Sequence, residues 1–134
     1  MGHAAGDAVI VAVAHAIRDS LRPGDMCGRL GGEEFAVLLP GLDAAAALAM
    51  AERLRAGIEE IDTTPAGARF PITASFGLAE GRGASADLDA LLVRADRALY
   101  RAKRAGRNRV EVERSPTPDA GPGDIPGDSS LAVS

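Results

Sequence analysis

The sequence predicts a mixed α/β sandwich with helices packed on a sheet, and three observations predict it. Apolar residues recur at three- and four-residue steps in three separate stretches, 9–21, 44–58 and 88–102, which is the period of an amphipathic helix. Two short apolar runs flank Gly31-Gly32-Glu33-Glu34 as the arms of a hairpin. A further run, Ile72-Thr73-Ala74-Ser75-Phe76-Gly77-Leu78, alternates apolar and small residues as a strand does. The resulting order is helix, hairpin, helix, strand, helix, with no internal repeat.

The first helix follows Gly6-Asp7, and Val9, Ile10, Val13, Ile17 and Leu21 form its apolar stripe. Pro23-Gly24 ends it in a turn. Met26 to Leu30 is a short strand, and Phe35 to Leu39 is a buried one stopped by Pro40-Gly41. Asp43 caps a second helix running to about Ile58, with Leu48, Ala51, Leu54 and Ile58 on one side. Residues 63–68 read as a loop. A third helix follows Ser85 or Asp87, striped by Leu88, Leu91, Leu92, Ala95, Leu99 and Ala102, with Gly106 as its C-terminal cap. Val110 to Val112 is a last short strand. Residues 113–134 read as a disordered tail, because from Ser115 onward the chain is rich in Pro, Gly, Asp and Ser. Residues 1–112 then form one domain.

At 134 residues there is room for a single core, and 46% hydrophobic with 25% charged residues is ordinary for a globular domain. Trp is absent and aromatics reach only 3%, so Ala, Val, Leu and Ile must build the interior. A net charge of −4 argues against broad nucleic-acid binding, which needs a basic surface. Cys27 is the one cysteine, which excludes an internal disulfide framework and a cysteine metal cluster; it reads as a small buried hydrophobe in a reducing cytoplasm. No apolar run approaches the roughly 18–20 residues of a membrane span, and no signal peptide opens the chain.

Two readings of the Glu33-Glu34 pair stand side by side on physical grounds. In one, a cation relieves the repulsion between adjacent acids held on a glycine turn. Oxygen-only ligands suit Mg²⁺, and Mg²⁺ suits phosphoryl chemistry. In the other, the pair is a solvated hairpin tip. A similar choice applies to Arg22-Pro23-Gly24-Asp25. Pro and Gly at the central places favour a type II turn, whose ends lie within about 7 Å. Arg22 and Asp25 there form either a plain surface turn or a donor fork beside an acceptor, a combination that can read guanine.

Gly31-Gly32-Glu33-Glu34-Phe35 resembles the signature pentapeptide of the GGDEF (diguanylate cyclase) family in its GGEEF form. Arg29 stands two residues before it, and the apolar strand and Pro40 follow. Ala95-Asp96-Arg97-Ala98-Leu99-Tyr100-Arg101-Ala102-Lys103 and Gly106-Arg107-Asn108 resemble the family's second signature. Ser75-Phe76-Gly77 is similar to its strand motif, and Gly2-His3 with Gly6-Asp7 to the start of its first helix. The matches are collinear over 1–112.

The resemblance implies a nucleotidyl-cyclase-like, ferredoxin-like sheet and condensation of two GTP into cyclic di-GMP with release of two pyrophosphates. It implies a bacterial second-messenger enzyme that works as a homodimer with Mg²⁺ or Mn²⁺, because one half-site cannot bring two triphosphates into reacting geometry. Glu33 is implied as the metal-binding carboxylate that also helps activate the 3′-hydroxyl, and Glu34 as its acidic partner at the metal. Gly31 and Gly32 let GTP lie against the hairpin. Asp7 is implied to read the guanine edge; as a residue it also reads as an N-cap. Lys103 and Arg107, four residues apart at a helix end, are implied to contact phosphates. Arg22, Asp25 and Arg53 resemble the family's inhibitory product site. The remaining basic residues of the last helix (Arg94, Arg97, Arg101, Arg104) and Arg109 read as a solvated face, and His3 and His15 have no partner that suggests catalysis.

The family's first strand, with a metal-binding Asp, Phe-Lys and an Asn, has no counterpart in 1–134. The expectations that follow are a weakened metal site, a sheet with unpaired edges where its central strand is missing, and no detectable product from this chain alone. The alternative is a catalytically inactive module that binds cyclic di-GMP or GTP as a receptor. An unrelated small α/β domain is the third reading.

Overall fold

The computed structural model describes residues 3–31, 33–61, 72–81, 88–113 and 128–134, with 3–9, 31, 88 and 128 described by their backbone alone. The element order is α1 (His3–Asp19), β1 (Met26–Gly31), β2 (Glu34–Leu39), α2 (Ala44–Glu59), β3 (Phe76–Gly81), α3 (Leu88–Arg104), β4 (Val110–Glu113) and β5 (Asp128–Val133). The strands form one sheet in the order β1-β2-β5-β3-β4. All neighbours are antiparallel except β3 and β4, which run parallel.

Alternation along the strands splits the core in two. Phe35, Val37 and Leu39 of β2, Phe76 and Leu78 of β3, and Leu131 and Val133 of β5 face α1 and α2, where they meet Ile17, Met50, Ala51, Leu54 and Ile58. Ala79 and Ala132 face the other way and pack under Leu91, Ala95 and Leu99 of α3. Gly77 makes that second layer close. A Cβ there would collide with the Ala95 carbonyl and the Leu99 backbone nitrogen, so α3 lies directly on the strand.

Local chemistry sets the boundaries as the sequence suggests. The Asp43 carboxylate accepts a 2.9 Å bond from the Ala46 N–H, and Glu80 accepts one of 3.0 Å from the Ala44 N–H. Two acids thus satisfy free donors at the positive end of α2. Gly24 has φ +94° and the Asp25 N–H bonds the Arg22 carbonyl at 3.0 Å, as a type II turn requires. The Gly106 cap at φ +129° ends α3. Strand β3 begins at Phe76 rather than Ile72. The loop expected at 63–68 and the cap at Ser85 or Asp87 lie outside the described residues.

Two expectations are corrected. Disorder does not run to the last residue, since Asp128–Val133 form β5, and 114–127 lie outside the described residues. The sheet does not show a gap at its centre either. Strand β5 occupies that place, bonded to β2 from Phe35↔Val133 to Leu39↔Ser129 and to β3 from Phe76↔Val133 to Gly81↔Asp128. Short, with only three apolar residues, it is held because both of its edges are paired and Leu131, Ala132 and Val133 are buried.

Candidate functional site

The hairpin carries its acids at the open end of the sheet. Strands β1 and β2 pair in regular register from Met26↔Leu38 to Arg29↔Phe35, then slip so that Gly31 meets Glu34. Such a slip bends the ribbon and re-aims the side chains beside it. Glu33 is exposed at the tip, while Glu34 is half-buried at the first position of β2. Gly32 lies outside the described residues.

The neighbouring acids part company. Phe35 faces the α1–α2 layer, so alternation turns Glu34 toward α3. There its carboxyl group shares a hydrogen bond with that of Asp96, near the Lys103 ammonium. The hydrogen bond to Asp96 pushes the Glu34 pKa up to about 7; burial and the Asp96 charge add to this, and Lys103 opposes it. Glu34 therefore holds its proton more tightly than an ordinary carboxyl group. Glu33 instead borders a cavity of about 70 Å³ together with Ile10 and Val13 of α1, Phe35, Thr73 and Ser134. That volume is far below the roughly 300–1,000 Å³ of enclosing ligand sites.

The structure thus brings together Glu34, Asp96 and Lys103, and places Glu33 on the cavity side. Among the described residues no three His, Cys, Asp or Glu side chains gather as a metal cluster. Carboxylate oxygens remain the right donors for a hard divalent cation. Glu33, solvent-facing and at the cavity rim, is the acid placed to offer them, and Glu34 stands behind it in a proton-sharing pair. Asp96 was not singled out from sequence. Its spacing of seven from Lys103, two helical turns on one face, is the signal that could have found it.

The basic residues sort themselves by what they touch. Helix α3 ends at Arg104, so Arg107 lies beyond it rather than on one helix face with Lys103. Its N–H still reaches back to the Ala102 carbonyl at 2.9 Å. Arg107 and Asn108 have φ of +65° and +48°, a left-handed backbone that non-glycine residues enter at a cost. Arg97 and Arg101 are exposed, as a solvated face requires, and the expectation needs correction for Arg94, which is half-buried. Arg94 donates to the Glu80 and Glu113 carbonyls at 2.9 and 3.3 Å, and Arg101 to the Val112 carbonyl at 3.0 Å. Arg101 and Arg97 also face the Glu113 carboxylate. They latch α3 onto the outer strand β4 and satisfy its end. Arg104 lies over the Tyr100 ring at 5.7 Å.

At the type II turn Arg22 and Asp25 do stand side by side. Arg22 Nη2 donates to Asp25 Oδ1 at 2.7 Å and Nε to Oδ2 at 3.1 Å, while Nη2 also reaches the Pro40 carbonyl at 2.8 Å. The Arg22 guanidinium holds the Asp25 carboxyl below its usual range. Arg53 lies on the exposed side of α2. Asp7 is inside α1, not ahead of it, so it is no N-cap; its side chain lies outside the described residues.

Comparison with known proteins gives this geometry its context. Residues 1–109 match the model of the family described as "Diguanylate cyclase, GGDEF domain". Diguanylate cyclase A of Treponema denticola is 40% identical over 119 residues, 89% of this chain and 32% of the relative. DgcP of Pseudomonas aeruginosa is 47% identical over 111 residues, 83% of this chain and 16% of the relative. The chain thus spans about a third or less of the length of these curated relatives. The active GGEEF domain of a diguanylate cyclase from Vibrio cholerae superimposes with a TM-score of 0.74 at 30% identity, covering 86% of this chain and 72% of that one. The GGDEF domain of DgcB from Caulobacter crescentus, in complex with c-di-GMP, gives 0.75 at 35% identity, covering 84% and 67%. Strand β5 lies outside the span that the family model matches. Over the hairpin, the helix that faces it and the sheet that carries both, this chain belongs to the GGDEF family of diguanylate cyclase domains.

Proposed function

We propose that this domain condenses two molecules of GTP into cyclic di-GMP. The observation that carries the reading is the exposed Glu33 at the rim of an open cavity, backed by Glu34 in its contact with Asp96 and Lys103. Each 3′-hydroxyl oxygen forms a bond to the α-phosphorus of the other GTP, the bond from that phosphorus to the β-phosphate bridge breaks, and two pyrophosphates leave. Glu33 holds a divalent cation, Mg²⁺ or Mn²⁺, and takes up the hydroxyl proton. When bound, that cation neutralises charge developing on the phosphate oxygens. Glu34 supports Glu33 from the α3 side. Lys103 and Arg107 hold the triphosphate, Gly31 and Gly32 let it approach the hairpin, and Asp7 reads the guanine. Two copies must face one another, since each supplies half of the reacting pair.

Cyclic di-GMP, the product, binds at Arg22, Asp25 and Arg53 and restrains turnover. A second reading, a module that binds cyclic di-GMP without making it, is favoured by one observation: the Arg22–Asp25 pair is already assembled. The deciding experiment incubates the protein with GTP and Mg²⁺ and quantifies cyclic di-GMP by chromatography, beside Glu33→Gln. Product from the native protein that falls at least about a hundredfold in the variant supports the cyclase. Tight cyclic di-GMP binding with no product from the native protein favours the receptor.

A further inference from the structure

The loop that follows α3 is held from an unexpected side. Asn108 donates from Nδ2 to Glu59 Oε2 at 2.9 Å and accepts at Oδ1 from Arg55 Nη1 at 3.1 Å. Its own N–H donates to Ser75 Oγ at 3.1 Å. Arg55 is itself fixed by Glu52 at 2.7 Å and Glu59 at 3.5 Å on the same helix. Both ends of one amide are therefore tied to α2, and its backbone to the residue ahead of β3. Immediately before this anchor stands Arg107, in the left-handed region together with Asn108. Two consecutive non-glycine residues in that region persist only where the surroundings fix them.

We propose that Asn108 is a positioning residue. By tying the chain just after Arg107 to α2 and Ser75, it holds Arg107 in its left-handed conformation and aims the guanidinium at the phosphates of the bound nucleotide. The inference rests on the reading of Arg107 as a phosphate ligand. Arginine binds phosphate through a rigid fork, so direction matters as much as charge. A tether that fixes the peptide on either side of the arginine removes the freedom the fork would otherwise lose on binding. Arg55, half-buried, and Glu59, exposed, give the amide a donor and an acceptor at once, a match that neither Asp nor Ala reproduces.

The test titrates the protein with the Mg²⁺ complex of α,β-methylene GTP, which cannot release pyrophosphate, and separately with guanosine, following both by NMR. Asn108→Gly is the central variant, because glycine keeps positive φ without strain and removes only the side-chain tether. We expect it to bind the triphosphate about tenfold more weakly, to bind guanosine as the native protein does, and to melt within a few degrees of it. Asn108→Gly should add nothing once Arg107→Ala is present. Native-like triphosphate affinity in Asn108→Gly, with weakened affinity in Arg107→Ala, overturns the positioning role and leaves the phosphate reading standing. Unchanged affinity in Arg107→Ala overturns the phosphate reading and the positioning role with it. Additive losses in the double variant show that Asn108 acts by another route, and they also overturn the proposal.

Discussion

The carboxyl groups of Glu34 and Asp96 share a hydrogen bond between the signature hairpin and helix α3. Two carboxyls can do so only while one keeps a proton, and Glu34 keeps it up to about pH 7. The unfolded chain has no such partner, so Glu34 there ionises in the ordinary carboxylate range, near 4.5. A folded-state pKa raised above the unfolded one favours folding below the unfolded value, and that advantage is lost as pH rises through the folded value. The protein should therefore lose melting temperature between about pH 4.5 and 7 in the absence of metal. Asp96→Ala should return the Glu34 carboxyl toward its ordinary range in a ¹³C-detected titration. A Glu34 titration near pH 4.5 in the native protein would refute the pairing.

Gly77 makes a second kind of contact with α3. A methyl group there would lie 2.8 Å from the Leu99 Cα and closer still to helix backbone atoms, and backbone cannot swing aside as a flexible side chain can. Gly77→Ala should destabilise the protein by about 3 kcal/mol, at the upper end of ordinary overpacking, as read by urea unfolding. A change below about 0.5 kcal/mol, the scale of neutral surface substitutions, would show that α3 stands off the strand.

How much of this was legible in the sequence follows from the range over which each signal acts. The Asp43 cap, the Pro23-Gly24 turn and the stripe of Leu91, Ala95 and Leu99 are written within a few residues, and the structure keeps them. The acids of the hairpin were visible as a pair, but their division between two faces was not, because it depends on α3 packing over one face of the sheet and meeting Glu34 with Asp96 and Lys103. Arg94 looks like a solvent-facing helix residue until β4 arrives beside it with a carbonyl to satisfy. The strand Asp128–Val133 was the hardest to see. Its serines and its Pro- and Gly-rich approach speak for disorder, and only two ready-made edges on β2 and β3 make a strand of it.

That strand can be tested at Leu131, fully buried among Val37, Leu78 and their neighbours. Leu131→Ala should cost about 3 kcal/mol, as for other buried leucines, whereas a leucine in a disordered tail would cost nothing. Hydrogen exchange should agree. The amides of Val37 and Gly77 face β5 on either side and should be among the slowest to exchange. Rapid exchange there, with a neutral Leu131→Ala, would remove β5 from the centre of the sheet.

Arg22 offers a separate handle on product binding. Its Nε and Nη2 already donate to Asp25, and Nη2 to the Pro40 carbonyl, so a guanine base that takes two hydrogen bonds from the guanidinium must displace one of these acceptors. Arg22→Ala should weaken cyclic di-GMP binding about tenfold or more, since a good bidentate pair is worth about 1–3 kcal/mol. GTP affinity should stay as it is, because the turn lies at the far end of β1 from the hairpin tip. Arg22→Lys should not restore binding, for an ammonium lacks the fork. Asp25 adds an acid dependence. Its carboxyl is held below the ordinary range by Arg22, so the pair's contribution to stability is present above about pH 4 and is lost as pH falls through the lowered value. Calorimetric titration of cyclic di-GMP into the three proteins at neutral pH decides the matter. Equal affinities would mean that the turn is an ordinary surface feature and that the product, if it binds, does so elsewhere.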